Sequence, residues 1–178
     1  MFMEELELIA EQFAQDHALN HNVFATAESC TGGLISAAIT SISGSSAWFD
    51  RGFVTYTNEA KQELLQVPAH ILEQYGAVSN QTASYMVSGA LNNSHADLAV
   101  AVTGIAGPTG GSKEKPVGTV CIAFKHRSWN YALVKCHHFA GNRSEVRAQT
   151  AKCALHGLLL LSAQQELKDY DSFVLNDC

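Results

Sequence analysis

The segment Glu28-Ser29-Cys30-Thr31-Gly32-Gly33 carries the first side chains that could do chemistry. It follows one short apolar run and precedes another, which predicts a strand-to-helix turn whose backbone N–H groups converge on one point. Such a turn suits an anion or the oxyanion of an acyl transfer. No Gly-Lys-Ser/Thr follows at the spacing of a P-loop, so the turn is not a Walker-type phosphate loop. A plain Ser/Thr helix cap explains the same residues and stays open as the alternative.

Lys61 is the candidate partner of this turn, because it stands one turn into a predicted helix after a strand that ends at Tyr56. A lysine desolvated in a cleft has a lowered pKa and can act as general base toward a serine. Ser–Lys pairs are a known variant of the Ser–His–Asp arrangement. Two alternatives stay open: Lys61 is a solvated surface lysine, or Cys30, whose thiol is intrinsically more nucleophilic, replaces Ser29 as the nucleophile.

Arg143 and a glycine-rich loop are the candidate substrate-binding elements. The loop Thr103–Gly111 has four glycines and one proline in nine residues, which excludes a regular element and permits close approach of a ligand. Arg143 follows Asn142 at the start of a predicted helix, and both an arginine and a helix N-terminus favour a phosphate. An exposed arginine with no ligand remains the alternative.

The cysteines and histidines predict neither a metal site nor disulfides. Cys136-His137-His138 is the densest cluster, but adjacent residues on a strand point to opposite faces and no second ligand pair follows at finger spacing. We expect a half-exposed strand there and no bound metal. The cysteine count is odd and no C-x-x-C pair occurs, a pattern typical of reduced thiols in a reducing compartment. The five cysteines are Cys30, Cys121, Cys136, Cys153 and Cys178.

Alternating helices and strands must position these residues. The order αβα, βαα, αβ, ββ, α predicts an α/β fold, a single-domain three-layer α/β/α sandwich with a mixed β-sheet. Within it we expect one amphipathic helix over Met1–Leu19, a helix capped by Asn58, and a capping box between Asn142 and Glu145. The acidic, aperiodic residues after about Lys168 predict a loose tail.

The composition narrows the function classes. The chain has 178 residues, 47% apolar and 16% charged, with 11 Lys plus Arg against 17 Asp plus Glu and a formal net charge of −6. A disordered chain is excluded, and an acidic chain without a basic run argues against nucleic acid. No apolar run approaches the about 20 residues that span a bilayer, and Glu4, Glu5 and Glu7 do not suit a secretory signal. We therefore expect a cytoplasmic domain that contacts neither nucleic acid nor membrane.

Six motifs in chain order closely resemble the CinA C-terminal domain family. They are AESCTGG at 27–33, GSSAWF at 44–49, GFVTYTNEAK at 52–61, GAVS at 76–79, VTGIAGP at 102–108 and EKPVGTV at 114–120. The similarity runs over roughly residues 5 to 165. We accordingly predict a CinA C-terminal-like amidase domain at residues 1–167 and a tail at residues 168–178.

The resemblance implies an activity. The short chain looks like the stand-alone form of this family, which implies hydrolysis of the carboxamide of nicotinamide mononucleotide (NMN) to nicotinate mononucleotide and ammonia, in pyridine nucleotide recycling. It implies a small-molecule substrate, no metal or other cofactor, and a homodimer or larger homo-oligomer. Two other hypotheses remain for the function: a non-catalytic nucleotide-binding module that uses the same glycine-rich loops, and a scaffold or DNA-damage partner.

The resemblance also implies roles for individual residues. The family's nucleophilic serine falls on Ser29, its lysine base on Lys61, its supporting tyrosine on Tyr56 and a further active-site serine on Ser46. An unperturbed lysine has a pKa of about 10.4, so the pKa of Lys61 must be lowered for it to act as a base at neutral pH. The remaining expected roles are substrate contacts: backbone N–H groups of Thr31, Gly32 and Gly33 toward the oxyanion, and Thr103, Gly104 and Arg143 toward ribose and phosphate.

Overall fold

A six-stranded mixed sheet forms the centre of the computed structural model, which describes residues 2–175. Its strand order is β2-β1-β3-β4-β5-β6, with β1, β2 and β3 parallel and the other pairs antiparallel. The strands are β1 Phe24–Glu28, β2 Phe49–Val54, β3 Leu98–Gly104, β4 Thr119–His126, β5 Tyr131–His138 and β6 Asp171–Val174.

Seven α-helices cover the two faces of this sheet in the described chain. Alternation along β3 defines the faces, because Leu98 and Val100 point into one apolar cluster while Ala99 and Ala101 point into the other. The first cluster packs against α1 Phe2–Ala10, α2 Gln12–Asn20, α3 Leu34–Thr40 and α7 Arg143–Ser162; the second packs against α4 Asn58–Leu65, α5 Ala69–Tyr75 and α6 Asn80–Asn92. The expected α/β/α sandwich with a mixed sheet is confirmed. None of these helices is long and apolar enough to cross a membrane.

Two details of helix boundaries differ from expectation. The predicted helix Met1–Leu19 is two helices that meet at Glu11, and the apolar periodicity does not mark the break because Leu6 and Phe13 face the same cluster on either side of it. Met1 itself lies outside the described residues. The cap of α4 is not Asn58 but Thr57, whose Oγ1 accepts from the N–H of Ala60 at 3.1 Å. The predicted capping box at the start of α7 is confirmed.

The C-terminal segment does not form a loose tail throughout. Asp171–Val174 forms β6 and extends the sheet beside β5, in antiparallel register with Tyr131 opposite Val174. Tyr170, just before it, packs its ring against Phe124 with centroids 5.7 Å apart. Four residues are too few for an alternation to stand out in an acidic sequence, so the pattern gave no sign of this edge strand. Residues 176–178 lie outside the described part of the chain.

The expectation of unpaired thiols is wrong for two cysteines. Cys121 on β4 and Cys136 on β5 lie directly opposite each other in the antiparallel register and form a disulfide. The register between β4 and β5 brings Cys121 and Cys136 together, and the number and spacing of cysteines in the sequence do not encode that register. Cys30 and Cys153 are free thiols. Within residues 2–175, no group of three His, Cys, Asp or Glu side chains is arranged to hold a metal ion.

Candidate active site

The predicted catalytic residues Ser29, Lys61 and Tyr56 lie at the carboxyl ends of the three parallel strands. A cavity of about 220 Å³ opens there, where ligands bind in open α/β sheets. Four larger grooves, of about 740, 820, 320 and 410 Å³, lie elsewhere and contain none of the predicted site residues. The smaller cavity is lined by Ser29, Cys30, Tyr56, Asn58, Lys61, Ala77, Val78, Thr103, Gly104, Ala106 and Arg143.

Ser29 and Lys61 meet in this cavity. Lys61 Nζ lies 3.0 Å from Ser29 Oγ and donates a second hydrogen bond to the carbonyl oxygen of Thr55 at 2.9 Å. Ser29 is held in place by its own N–H, which donates to the carbonyl of Val102 at 3.0 Å and so continues the pairing of β1 with β3. Distance and orientation therefore suit proton transfer between the hydroxyl and the amine.

The environment of Lys61 favours its neutral form. Its side chain is 1% exposed, and this desolvation lowers the pKa of the ammonium group below its ordinary value of 10.5. No carboxylate lines the cavity to oppose that effect. The solvated surface lysine that the sequence left open as an alternative is thus excluded by its burial.

Cys30 lines the same cavity but is a poor rival to Ser29. Burial, with a smaller contribution from the charge of Glu28, raises the pKa of the Cys30 thiol to about 11. The thiolate, which is the nucleophilic form of cysteine, is therefore scarce at neutral pH. Lys61 Nζ has two acceptors, the hydroxyl of Ser29 and the carbonyl of Thr55, and the thiol of Cys30 is neither of them.

Arg143 and Tyr56 form the outer part of the site. The Arg143 guanidinium donates to Tyr56 Oη at 2.7 Å and to the carbonyl of Gly107 in the glycine-rich loop at 2.9 Å. Tyr56 is 59% exposed, so its hydroxyl is open to solvent and to ligand. The N-terminus of α7 offers less to an anion than expected, because Asn142 Oδ1 already accepts from the N–H groups of two first-turn residues, Ser144 and Glu145.

Thr103 and Gly104 line the cavity, and both also have structural roles at the end of β3. Thr103 Oγ1 donates to the carbonyl of Ala77 at 2.7 Å, which ties the loop before α6 to the end of β3. A Cβ on Gly104 would approach Val120 Cγ2 to 2.6 Å and the carbonyl of Thr119 to 2.9 Å. Strand β4 therefore requires a glycine at this position, whether or not a ligand approaches it.

The structure does not bring four of the predicted site residues into the cavity lining. Ser46 is exposed in a short 3₁₀ turn before β2, whereas the cavity lies after β2, about 16 Å further along at 3.3 Å per residue. Thr31, Gly32 and Gly33 lie beyond the lining residue Cys30. Two of their three N–H groups are also occupied, because Gly32 donates to the carbonyl of Ser29 and Gly33 to a carboxylate oxygen of Glu28. Of the three expected oxyanion donors, the N–H of Thr31 is the one without an acceptor in residues 2–175, but Thr31 is fully buried and does not line the cavity.

Sequence reasoning missed the role of Glu28 and the presence of Asn58 in the cavity. Glu28 ends β1, is fully buried, and accepts several hydrogen bonds from the start of α3. A carboxylate placed between an apolar run and a Ser/Thr/Gly turn is a signal that could have identified it. Asn58 was assigned to helix capping, and because Thr57 takes that role the Asn58 side chain remains beside the cavity.

Comparison with known families identifies the class of protein that has this α/β fold. The family model of the CinA C-terminal domain matches residues 6–161, and the chain belongs to this family. The crystal structure of the competence/damage inducible protein CihA from Agrobacterium tumefaciens superposes with a TM-score of 0.84 at 50% identity, covering 88% of this chain and 94% of that one.

Curated relatives carry a more specific name. A protein of Enterobacter agglomerans called nicotinamide-nucleotide amidohydrolase PncC is 57% identical over 133 residues, which cover 75% of this chain and 80% of that protein. The Escherichia coli K12 protein of the same name is 47% identical over 154 residues, covering 86% of this chain and 93% of that protein. The resemblance inferred from the motifs is confirmed.

Proposed function

We propose that this chain hydrolyses the carboxamide of nicotinamide mononucleotide, giving nicotinate mononucleotide and ammonia in pyridine nucleotide recycling. The observation that carries the proposal is the 3.0 Å contact between Lys61 Nζ and Ser29 Oγ in a cavity that also holds Arg143. Relatives that are 57% and 47% identical to it over 133 and 154 residues are named for amide hydrolysis on a nicotinamide nucleotide. The chemistry of the cavity and the names of the relatives point to the same reaction class.

Ser29 is the nucleophile and Lys61 its general base in this proposal. The carbonyl oxygen of Thr55 accepts one N–H of the neutral Lys61 amine, and this hydrogen bond directs the lone pair of Nζ toward Ser29. Lys61 takes the hydroxyl proton as Ser29 Oγ attacks the carboxamide carbon, and a tetrahedral oxyanion forms. Lys61 then gives its proton to the departing nitrogen, so ammonia leaves and an ester to Ser29 remains. Water attacks that ester with Lys61 again as base, and the carboxylate product and the Ser29 hydroxyl are restored.

Arg143 supplies the charge that an anionic substrate needs. It is a fork of donors at the cavity mouth, and such a fork binds phosphate oxygens well. Its present acceptors, Tyr56 Oη and the Gly107 carbonyl, are neutral, so a phosphate can compete for its donors. Tyr56 and the backbone at Thr103 and Gly104 border the remaining space, where the ribose and ring would lie. Ser46 lies at the other end of β2 from the cavity of the same chain, so this mechanism assigns it no step.

An ammonia-release assay on the purified chain tests the proposal. NMN, nicotinamide riboside and free nicotinamide are compared with the wild type and with Ser29→Ala. We expect release from NMN, much less from the two smaller amides, and loss of turnover in Ser29→Ala. Nucleotide binding without ammonia release would instead favour a non-catalytic binding module.

We further propose that the chain self-associates and works in the cytoplasm. Val54 and Tyr56 are large exposed side chains at the end of the edge strand β2 and just after it, and exposed apolar surface on an edge strand is suited to a second copy. A phosphorylated substrate is charged and crosses membranes poorly, which favours an enzyme on the side where the nucleotide is made. Light scattering and cell fractionation test these two statements.

A further inference from the structure

We propose that Glu28 is a positioning residue for the nucleophile: its carboxylate holds the turn after Ser29 so that the backbone N–H of Cys30, which lines the cavity, donates to the oxyanion. This inference rests on the proposed amide hydrolysis and adds two elements to it, the source of an oxyanion donor and the side chain that keeps it in place.

Glu28 binds the start of α3 with both carboxylate oxygens. Oε2 accepts from Thr31 Oγ1 at 2.7 Å, from the N–H of Gly33 at 3.0 Å and from the N–H of Ile35 at 3.1 Å. Oε1 accepts from the N–H of Ser36 at 2.8 Å and from its hydroxyl at 2.7 Å. Thr26 Oγ1 adds a longer contact to Oε1 at 3.5 Å, and the five donors from 31 to 36 fix that part of the chain relative to the end of β1 around a fully buried carboxylate.

This arrangement decides which N–H groups remain for a substrate. The donors of Gly33, Ile35 and Ser36 are used by Glu28, and that of Gly32 donates to the carbonyl of Ser29 at 3.1 Å. Between Ser29 and α3, the N–H groups without an acceptor in residues 2–175 are those of Cys30 and Thr31. Cys30 directly follows the nucleophile and lines the cavity, where a donor to a tetrahedral oxyanion is needed, whereas Thr31 is fully buried outside the lining.

Arg147 holds the same turn from its other side. Its guanidinium reaches from α7 and donates to the carbonyl of Thr31 at 2.7 Å. The turn is thus fixed through its N–H groups and Thr31 hydroxyl by Glu28 and through a carbonyl by Arg147. Both contacts are charge-assisted and therefore stronger than neutral hydrogen bonds. Neither charged group lines the cavity, which separates positioning from contact with the substrate.

Glu28→Gln is the decisive variant, because it keeps the shape of the side chain and turns one acceptor oxygen into a donor. An NH₂ group in place of either oxygen faces at least one backbone N–H, that of Ser36 at Oε1 or those of Gly33 and Ile35 at Oε2, so at least one hydrogen bond to the backbone is lost, while the hydroxyl groups can accept from the amide instead. We expect kcat to fall by about 10²–10³, the effect of losing an oxyanion donor, with KM within about threefold. The pH dependence governed by Lys61 should be unchanged, since Glu28 makes no contact with that amine.

Leu98→Ala is the matched control for stability. Leu98 is buried at the opposite end of β3 from the cavity, so its truncation lowers the melting temperature without touching the turn. Both variants are assayed well below their melting temperatures. If Leu98→Ala loses as much kcat as Glu28→Gln, or if folded Glu28→Gln keeps kcat within threefold, the positioning role is wrong.

Two additions keep the test decisive if Glu28→Gln does not fold or if NMN is not the substrate. Thr31→Val removes one donor to Glu28 and should lower kcat, while Thr31→Ser should restore most of it; equal kcat in the two variants would overturn the proposal. The labelling rate of Ser29 by a fluorophosphonate probe reports on the oxyanion donors without NMN. Fast labelling of a wild type that releases no ammonia would reject the proposed substrate alone, and slower labelling of Glu28→Gln would still support the role of Glu28.

Discussion

Replacing Lys61 by methionine tests two effects of the buried amine, one on turnover and one on the stability of the fold. Methionine keeps most of the volume of the side chain but can neither accept a proton nor carry a charge. Loss of a general base lowers turnover by about 10²–10⁴, which at about 1.36 kcal/mol per tenfold is about 3–5 kcal/mol of transition-state stabilisation. We therefore expect Lys61→Met to release ammonia from NMN at least about a hundredfold more slowly than the wild type.

The same substitution should stabilise the fold. Lys61 is 1% exposed, and its ammonium form has two neutral hydrogen-bond acceptors and no carboxylate partner in the cavity. Removing these hydrogen bonds costs about 0.5–1.5 kcal/mol each, while removing an unpaired buried charge gains several kcal/mol. A net gain of about 1–3 kcal/mol raises the melting temperature by about 2–4 °C per kcal/mol in a chain of this size.

The pH dependence of both effects follows from the lowered pKa of Lys61. The unfolded chain holds the lysine proton up to its ordinary pKa of 10.5, whereas the folded chain releases it at a lower pH. Wild-type stability therefore rises with pH between the folded and unfolded pKa values, and the advantage of Lys61→Met is largest below that window and shrinks across it. Wild-type kcat/KM should rise with pH through the folded pKa, because only the neutral amine accepts the Ser29 proton.

Ammonia release and thermal melting, each measured from pH 6 to pH 10, give the turnover and the stability of wild type and variant as functions of pH. Lys61→Arg serves as the charged comparison, since arginine stays protonated throughout and should be both inactive and destabilised. A Lys61→Met variant with kcat within tenfold of the wild type would refute the general-base role. An inactive variant that melts below the wild type at pH 7 would refute the argument that desolvation sets the pKa.

Three further predictions concern other parts of the structure. Cys30→Ala should retain kcat within about threefold in the ammonia assay, because its thiol has a pKa of about 11; loss of turnover there with full activity in Ser29→Ala would reverse the assignment. Arg143→Ala should raise KM for NMN at least about tenfold and leave the riboside unchanged, and equal effects on both would exclude a phosphate contact. Cys136→Ser opens the disulfide to Cys121, which spans 15 residues, and should lower the free energy of unfolding by about 3 kcal/mol in non-reducing urea titrations but not under reductant.

The central part of the site was predictable from sequence because it depends on strand order. Ser29 and Lys61 follow neighbouring parallel strands, β1 and β2, and parallel strands bring their carboxyl ends to one edge of the sheet. Arg143 joins them because its helix starts after β5, and its predicted capping box correctly marks that start. Local signals, namely apolar runs, glycine clusters and caps, therefore mark these three residues as candidates, and the family resemblance supplies their expected roles.

Other features depend on register or on long-range hydrogen bonds, which no local pattern encodes. The Cys121–Cys136 disulfide requires knowing that these residues pair across β4 and β5. Ser46 lies in a loop next to β2 in sequence, but on the side of the strand away from the cavity. Glu28 was visible in the motif, yet its meaning depends on how the N-terminus of α3 folds back over the end of β1.

The place of Glu28 also resolves how an acidic chain accommodates an anionic substrate. The formal net charge is −6, and Glu28 immediately precedes the nucleophile, so an open carboxylate there would repel both a phosphate and the developing oxyanion. Its burial against the N-terminus of α3, where the helix dipole amounts to about half a positive charge, offsets its field. The cavity itself is then lined by Lys61 and Arg143 without a carboxylate. If the charge of Glu28 alone mattered, neutralising it would help an anionic substrate. We expect the opposite, because the turn after Ser29 would lose the hydrogen bonds that hold it. The sign of the effect of Glu28→Gln on kcat therefore decides whether this carboxylate acts through its charge or through the geometry that it imposes.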